Sequence, residues 1–191
     1  MTAKLLLMSD IHITEPGTQI IGLDPSARFR RCLDHAAQHH ADAAHLFLMG
    51  DLTHHGGVSQ YKVLKQCLEG QPFPVTLMLG NHDRRKAFAE VFPELAAGFR
   101  QGRHRFGDTD VLYLDTLDEQ ARDRHSGHLC LERLDWLKTE LEAGKGPLII
   151  LSHHHMLRSG FDGMDAIHLR NGTEVDRKST RLNSSHEFVS R

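Results

Sequence analysis

The chain lacks any apolar run near the ~20 residues that a membrane-crossing helix requires. Its start, MTAKLLLMSDIH, offers one Lys and four straight apolar residues before a Ser-Asp pair, too little for the apolar stretch of a secretion signal. No membrane partner is expected, and the expected location is the cytoplasm. An excess of one charge is lacking as well. With a net charge of −2 and a pI near 6.8, nothing draws the protein toward a polyanion in bulk. The only basic clusters, RFRR (28–31) and RRK (84–86), lie in helical patterns where solvated charge is the ordinary condition, so no nucleic-acid partner is expected. Cysteine is sparse too. Cys32, Cys67 and Cys130 are odd in number, far apart and without a CxxC pair, which points to reduced, buried or half-buried thiols rather than disulfides or a thiolate metal site. Internal repeats and low-complexity tracts are absent.

What is present is ordinary for a globular protein, 39% hydrophobic and 25% charged, apart from 16 histidines. A chain of 191 residues can bury a proper core, and one domain over residues 1–176 is expected. Apolar runs and amphipathic stretches alternate. LLLMSDIHI (5–13) reads as a buried strand. Asp24-Pro25 then supplies a helix cap and a first-turn Pro, and Phe29, Cys32, Leu33 and Ala36 share one helical face. HLFLMGDL (45–52) is a second strand, and Ser59 is a candidate cap for a helix carrying Tyr61, Leu64 and Leu68. PVTLMLG (74–80) is a third strand, followed by a short helix over 84–92. HRFGDTDVLYLDT reads as a hairpin turning near Gly107-Asp108. Cys130, Leu134, Leu137 and Leu141 line a further helix, and PLIILS (147–152) is another buried strand. Continuous apolar strands between amphipathic helices mean a sheet covered on both faces, hence an α/β class. The segment RKSTRLNSSHEFVSR (177–191) is polar and without period, and is expected to be a non-native or disordered tail.

Most of the histidines, among them His39, His40, His104, His125 and His128, sit among polar neighbours and carry no sharp hypothesis. The informative ones end apolar runs. Four buried strands close on Ser9-Asp10-Ile11-His12, Gly50-Asp51, Gly80-Asn81-His82-Asp83 and His153-His154-His155. In parallel α/β sheets the carboxyl ends of strands gather on one edge, where ligands bind. Asp10 and His12, two apart, point to the same side of an extended chain. Gly50 and Gly80 free the backbone to turn just before Asp51 and Asn81. Asp, His and Asn together offer oxygen and imidazole donors without thiolate, which suits Mn, Fe or Zn.

These motifs, DIH (10–12), GD (50–51), GNHD (80–83) and SHHH (152–155), resemble the calcineurin-like metallophosphoesterase family in order, spacing and strand context. The segment HHHMLRSGFDGMDAIHLRNG (153–172) is similar to that of its cyclic-nucleotide and glycerophosphodiester phosphodiesterases. The resemblance covers residues 4–175. It implies a four-layer αββα sandwich and two divalent metal ions that activate a water for attack on a small phosphodiester. It further implies that Asp10 and His12 bind one metal, Asp51 bridges, and Asn81 and His153 bind the second. His82 would face the phosphoryl oxygens, with Asn81 beside it at the substrate, and Asp83 would orient His82. His154 would then be supporting, and His155 stands where a Pro is usual.

The family's last motif, Gly-His-x-His, does not follow; only His168 and His186 come after His155. The resemblance therefore implies a domain lacking its C-terminal strands and an impaired phosphodiesterase. Two other readings stay open: a non-catalytic scaffold, as the same fold serves in the retromer coat, and a nuclease of the superfamily. Substrate choice is expected to lie in loops such as 14–23 and 100–110, and the oligomeric state is not legible.

Overall fold

The computed structural model describes residues 3–182 and 187–188. The chain divides into two compact units, 1–98 and 99–191. Both combine one small sheet with helices, so the α/β class expected from the alternating pattern is the class adopted.

In the first unit β1 (Leu5–Met8), β2 (His45–Met49) and β3 (Val75–Met78) form a parallel sheet in that order. Parallel neighbours need crossovers, which α1 (Pro25–His39) and α2 (Val58–Leu68) provide; α3 (Arg85–Val91) follows β3. β2 is central and buried along its whole length, which is why HLFLM carries no alternation. The Asp24 carboxylate caps α1 by accepting the Ala27 N–H at 3.0 Å. Phe29, Leu33 and Ala36 are buried, as the spacing predicts, but Cys32 is exposed rather than part of the core. It stands at the edge of the apolar stripe and lines an open pocket. Cys67 is buried and Cys130 half-buried, both free thiols as expected. The expected cap of α2 is corrected: Gly57 occupies that position without a side-chain bond. Ser59 instead donates its hydroxyl to the Glu15 carboxylate at 2.6 Å.

In the second unit β4 (Gly102–Phe106) and β5 (Thr109–Tyr113) form the expected antiparallel hairpin, turning at Gly107 with φ 65°. β6 (Leu148–Leu151) lies parallel to β5, the crossover containing α4 (Leu131–Ala143). Leu134, Leu137 and Leu141 of α4 join Leu112, Leu148 and Ile150 in one apolar core, with Trp136 packed at its border. Arg133 is buried there. Its guanidinium donates to the carbonyls of Asp115 (2.7 Å) and Leu117 (3.0 Å), and the Asp115 carboxylate lies 3.6 Å away. After α5 (Asp162–Asp165), α6 (Gly172–Leu182) continues past residue 176, where the sequence suggests that regular structure stops. Fully buried Val175 anchors it. β7 (Glu187–Phe188) pairs in parallel with β6. The remainder of the expected tail, 183–186 and 189–191, lies outside the described residues. Among the described residues no helix is long and apolar enough to cross a membrane.

Candidate metal centre

Because β1, β2 and β3 are parallel and adjacent, their carboxyl ends deliver Asp10, His12, Asp51, Asn81, His82 and Asp83 to one edge of the first unit. The chain segments leaving β1 and β2 stay in register beyond the strands. The N–H groups of Asp10, His12 and Ile13 donate to the carbonyls of Gly50, Asp51 and Leu52 at 3.2, 2.9 and 3.0 Å. Asp10, His12 and Asp51 all hold left-handed backbone, with φ of 56°, 45° and 50°. Residues with side chains seldom adopt it, and such strain concentrates at functional sites. Gly50 at φ 97° supplies the turn that only glycine makes freely.

The side chains converge on Asp51. One of its oxygens accepts the His82 N–H at 2.9 Å. The other lies 3.6 Å from His12 Nε2 and 4.0 Å from His82 Nε2. The His82 ring is held at its far side, where Nδ1 donates to the His54 carbonyl at 2.7 Å. A carbonyl only accepts, so in neutral His82 the lone pair is on Nε2, on the side of a carboxylate oxygen that also only accepts. Both separations are too long for hydrogen bonds, and the 3.6 Å between Asp51 and His12 suits two ligands of one cation at ~2.0–2.2 Å from each. His12, His54 and His82 present ring nitrogens all within 4.8 Å of one another. The donor set of carboxylate, amide and imidazole, without thiolate, fits a divalent Mn, Fe or Zn ion. Ser9 donates its hydroxyl to the Asp10 carboxylate.

His54 escaped the sequence reading. Its signal is GDLTHH, in which the segment after Asp51 loops back on the site. Burial and the neighbouring imidazoles of His55, His12 and His82 lower its pKa, against a smaller upward pull from Asp51. A second correction concerns Asp83, which does not orient the His82 ring. Fully buried, its carboxylate accepts five bonds: the N–H groups of Leu52, Thr53 and Gly80 at 3.0, 3.2 and 2.9 Å, and the hydroxyls of Thr53 and Tyr61 at 3.1 and 2.8 Å. Burial pushes its pKa up, and the donors from Gly80, Leu52 and Tyr61 pull it back. Asp83 thus ties the segment after Asp51 to the turn that carries Asn81 and His82. Asn81 follows Gly80 at the tip of β3, its carbonyl accepting from Arg84 at 2.9 Å.

In the second unit, half-buried His153 follows the end of β6. His154 beside it is a structural pin. Its Nε2–H donates to the His125 carbonyl at 2.9 Å and its Nδ1 accepts from Thr116 Oγ1 at 2.7 Å. Burial, helped by the adjacent His153, holds its pKa down at about 3. Gly127 packs on the ring so closely that a Cβ there would stand 2.5 Å from His154 Cγ. Gly127→Ala should therefore lower stability by about 1–3 kcal/mol through overpacking; urea denaturation of the variant checks this, and an unchanged midpoint would contradict the contact.

The model of the calcineurin-like phosphoesterase family matches residues 3–177. The chain belongs to this family. It is 37% identical over 173 residues to a probable cyclic nucleotide phosphodiesterase of Rhodopseudomonas palustris, covering 88% of this chain and 63% of the relative. It is 30% identical over 130 residues to the glycerophosphodiester phosphodiesterase GpdQ of Enterobacter lignolyticus, covering 64% of this chain and 46% of that one. The chain thus spans less than two thirds of the length of these relatives. Among solved structures, a purple acid phosphatase from yellow lupin (Lupinus luteus) seeds superimposes with a TM-score of 0.61 at 18% identity, over 89% of this chain and 34% of the other, a likeness of fold. The phosphoesterase motifs of the first unit, DIH, GD and GNHD, are the segments whose side chains meet around Asp51.

Proposed function

We propose that the chain is the metal-binding part of a phosphodiesterase for small diesters, 3′,5′-cyclic nucleotides first and glycerophosphodiesters second. The observation that carries the reading is the convergence on Asp51 of His12 and His82, from strand ends that are neighbours in the parallel sheet. The 37% identity to a probable cyclic nucleotide phosphodiesterase supports the order of the substrates. Asp10, His12, Asp51 and Asn81 of the first unit are proposed holders of divalent metal, and His153, at the end of β6 in the second unit, is a further proposed ligand. Such ions, when bound, draw charge from a phosphoryl group and lower the pKa of water toward ~7.

The chain's own residues do the rest. The His54 carbonyl fixes the His82 ring by its Nδ1–H, leaving Nε2 on the side of Asp51. From there Nε2 is the atom proposed to pass a proton to the departing oxygen. General acid help of this kind is worth about 10²–10⁴-fold. Asn81, on the same turn, is the residue proposed to meet the substrate.

With Mn²⁺ added, the chain should hydrolyse bis-p-nitrophenyl phosphate and 3′,5′-cyclic AMP, and excess chelator should remove at least about 90% of the rate. Rates unchanged by chelator would defeat the proposal. A purified chain that takes up no divalent metal would favour the scaffold reading instead.

A further inference from the structure

A pocket of about 410 Å³ opens in the first unit beside Asp10 and His12, bounded by the loop before α1 and by α1 itself. Its walls include Ile20, Ile21, Leu23 and Phe29, and Arg28 lines it as well. The volume falls within the ~300–1,000 Å³ usual for small-molecule sites. The loop at its rim is built in a costly way. Ile20 and Leu23 exchange both backbone hydrogen bonds, at 2.9 and 3.0 Å, closing a two-residue turn. The two turn residues, Ile21 and Gly22, both take positive φ, 46° and 76°. That turn calls for Asn-Gly or Gly-Gly. A β-branched residue in the first position is a genuine outlier. Ile21 gains nothing from the fold in return, since 93% of it is exposed. Leu23, on the other side of the turn, is 44% exposed. Arg28 is exposed and makes no ion pair among the described residues.

We infer that this pocket is the subsite for the nucleoside portion of the substrate, with Ile21 closing over the base as a specificity-determining residue. The inference rests on the phosphodiesterase reading for its orientation, the phosphate lying toward Asp10 and His12. The base meets the apolar walls, and the planar Arg28 guanidinium stacks on its face. Strain held at an exposed apolar tip next to metal-ligand candidates is explained by a ligand that covers the tip, since covering it removes apolar surface from water.

The test uses adenosine, which has no phosphate, so that binding is read apart from hydrolysis. Equilibrium dialysis compares the full chain with Ile21→Asn and Ile21→Gly, both of which suit the turn better than the parent residue. Thermal denaturation of each variant should show a Tm equal to or about 2–4 °C above the parent. Adenosine binding should weaken about tenfold or more in both. Parent-like adenosine binding in the variants, or none to the parent at 10 mM or roughly a hundred times a typical ~0.1 mM site, overturns the inference. If adenosine binds through Ile21 but no diester is hydrolysed, the catalytic reading falls and the pocket stands. If diesters are hydrolysed while adenosine binding ignores Ile21, the pocket falls and the catalytic reading stands.

Discussion

Replacing Asp51 by Asn should strip the chain of bound divalent metal and lower diester hydrolysis by more than about 100-fold, while the fold survives. The magnitude follows from position. Loss of groups that merely support ligands typically costs 10–100-fold in affinity or activity, and Asp51 is the carboxylate on which His12, His82 and the His82 N–H all converge. Neutralising it removes the charge that compensates a cation and leaves two imidazoles facing an amide. The fold should persist because the Asn oxygen can still accept the His82 N–H, and because the segments beyond β1 and β2 are held by backbone bonds that do not involve the side chain. Metal content by plasma mass spectrometry, together with circular dichroism, reads both halves of the expectation. A variant that keeps its metal at parental stoichiometry would remove Asp51 from the centre.

How much of this was legible beforehand depends on the range of the interaction. The α/β class, the hairpin at Gly107 and the cap at Asp24 rest on neighbours a few residues apart, and all were readable. So was the gathering of Asp10, His12, Asp51, Asn81 and His82 at one edge, because a parallel sheet has only one carboxyl edge. The misses involve partners distant in sequence. Ser59 looks like a cap, but a carboxylate 44 residues away takes its hydroxyl. Asp83 adjoins His82, yet neighbours on one turn point apart, and the ring is held by a carbonyl 28 residues away. His54 belongs to no strand end, and only the loop after Asp51 carries it back toward His12. Residues 177–182 have no apolar period of their own. They follow a helix that begins before them and is anchored at Val175.

The revised role of Asp83 leads to the largest expected effect on stability. Asp83→Ala should destabilise the chain by about 3–5 kcal/mol, near the upper end for single substitutions, or roughly 10 °C in Tm for a chain of this size. Its carboxylate is the common acceptor for three backbone N–H groups and two hydroxyls in a site closed to water. Each buried donor left without a partner costs about 1–3 kcal/mol. The hydroxyls cannot simply turn away: Tyr61 Oη already accepts the Arg84 N–H at 3.0 Å and Thr53 Oγ1 the Gly56 N–H at 3.1 Å. Burial and the adjacent Asp83 push the Tyr61 pKa up, so its phenol remains a donor. Asp83→Asn should lose less, about 2 kcal/mol. Its amide oxygen can keep the Leu52 and Gly80 N–H groups while the NH2 faces the Thr53 N–H and the two hydroxyls. Thermal denaturation should therefore rank the parent above Asp83→Asn and Asp83→Ala last. Equal stability of all three would mean that the donors find water instead. Activity should follow the same ranking below the melting range, because the bonds lost are those that hold the segment after Asp51 against the turn bearing Asn81 and His82.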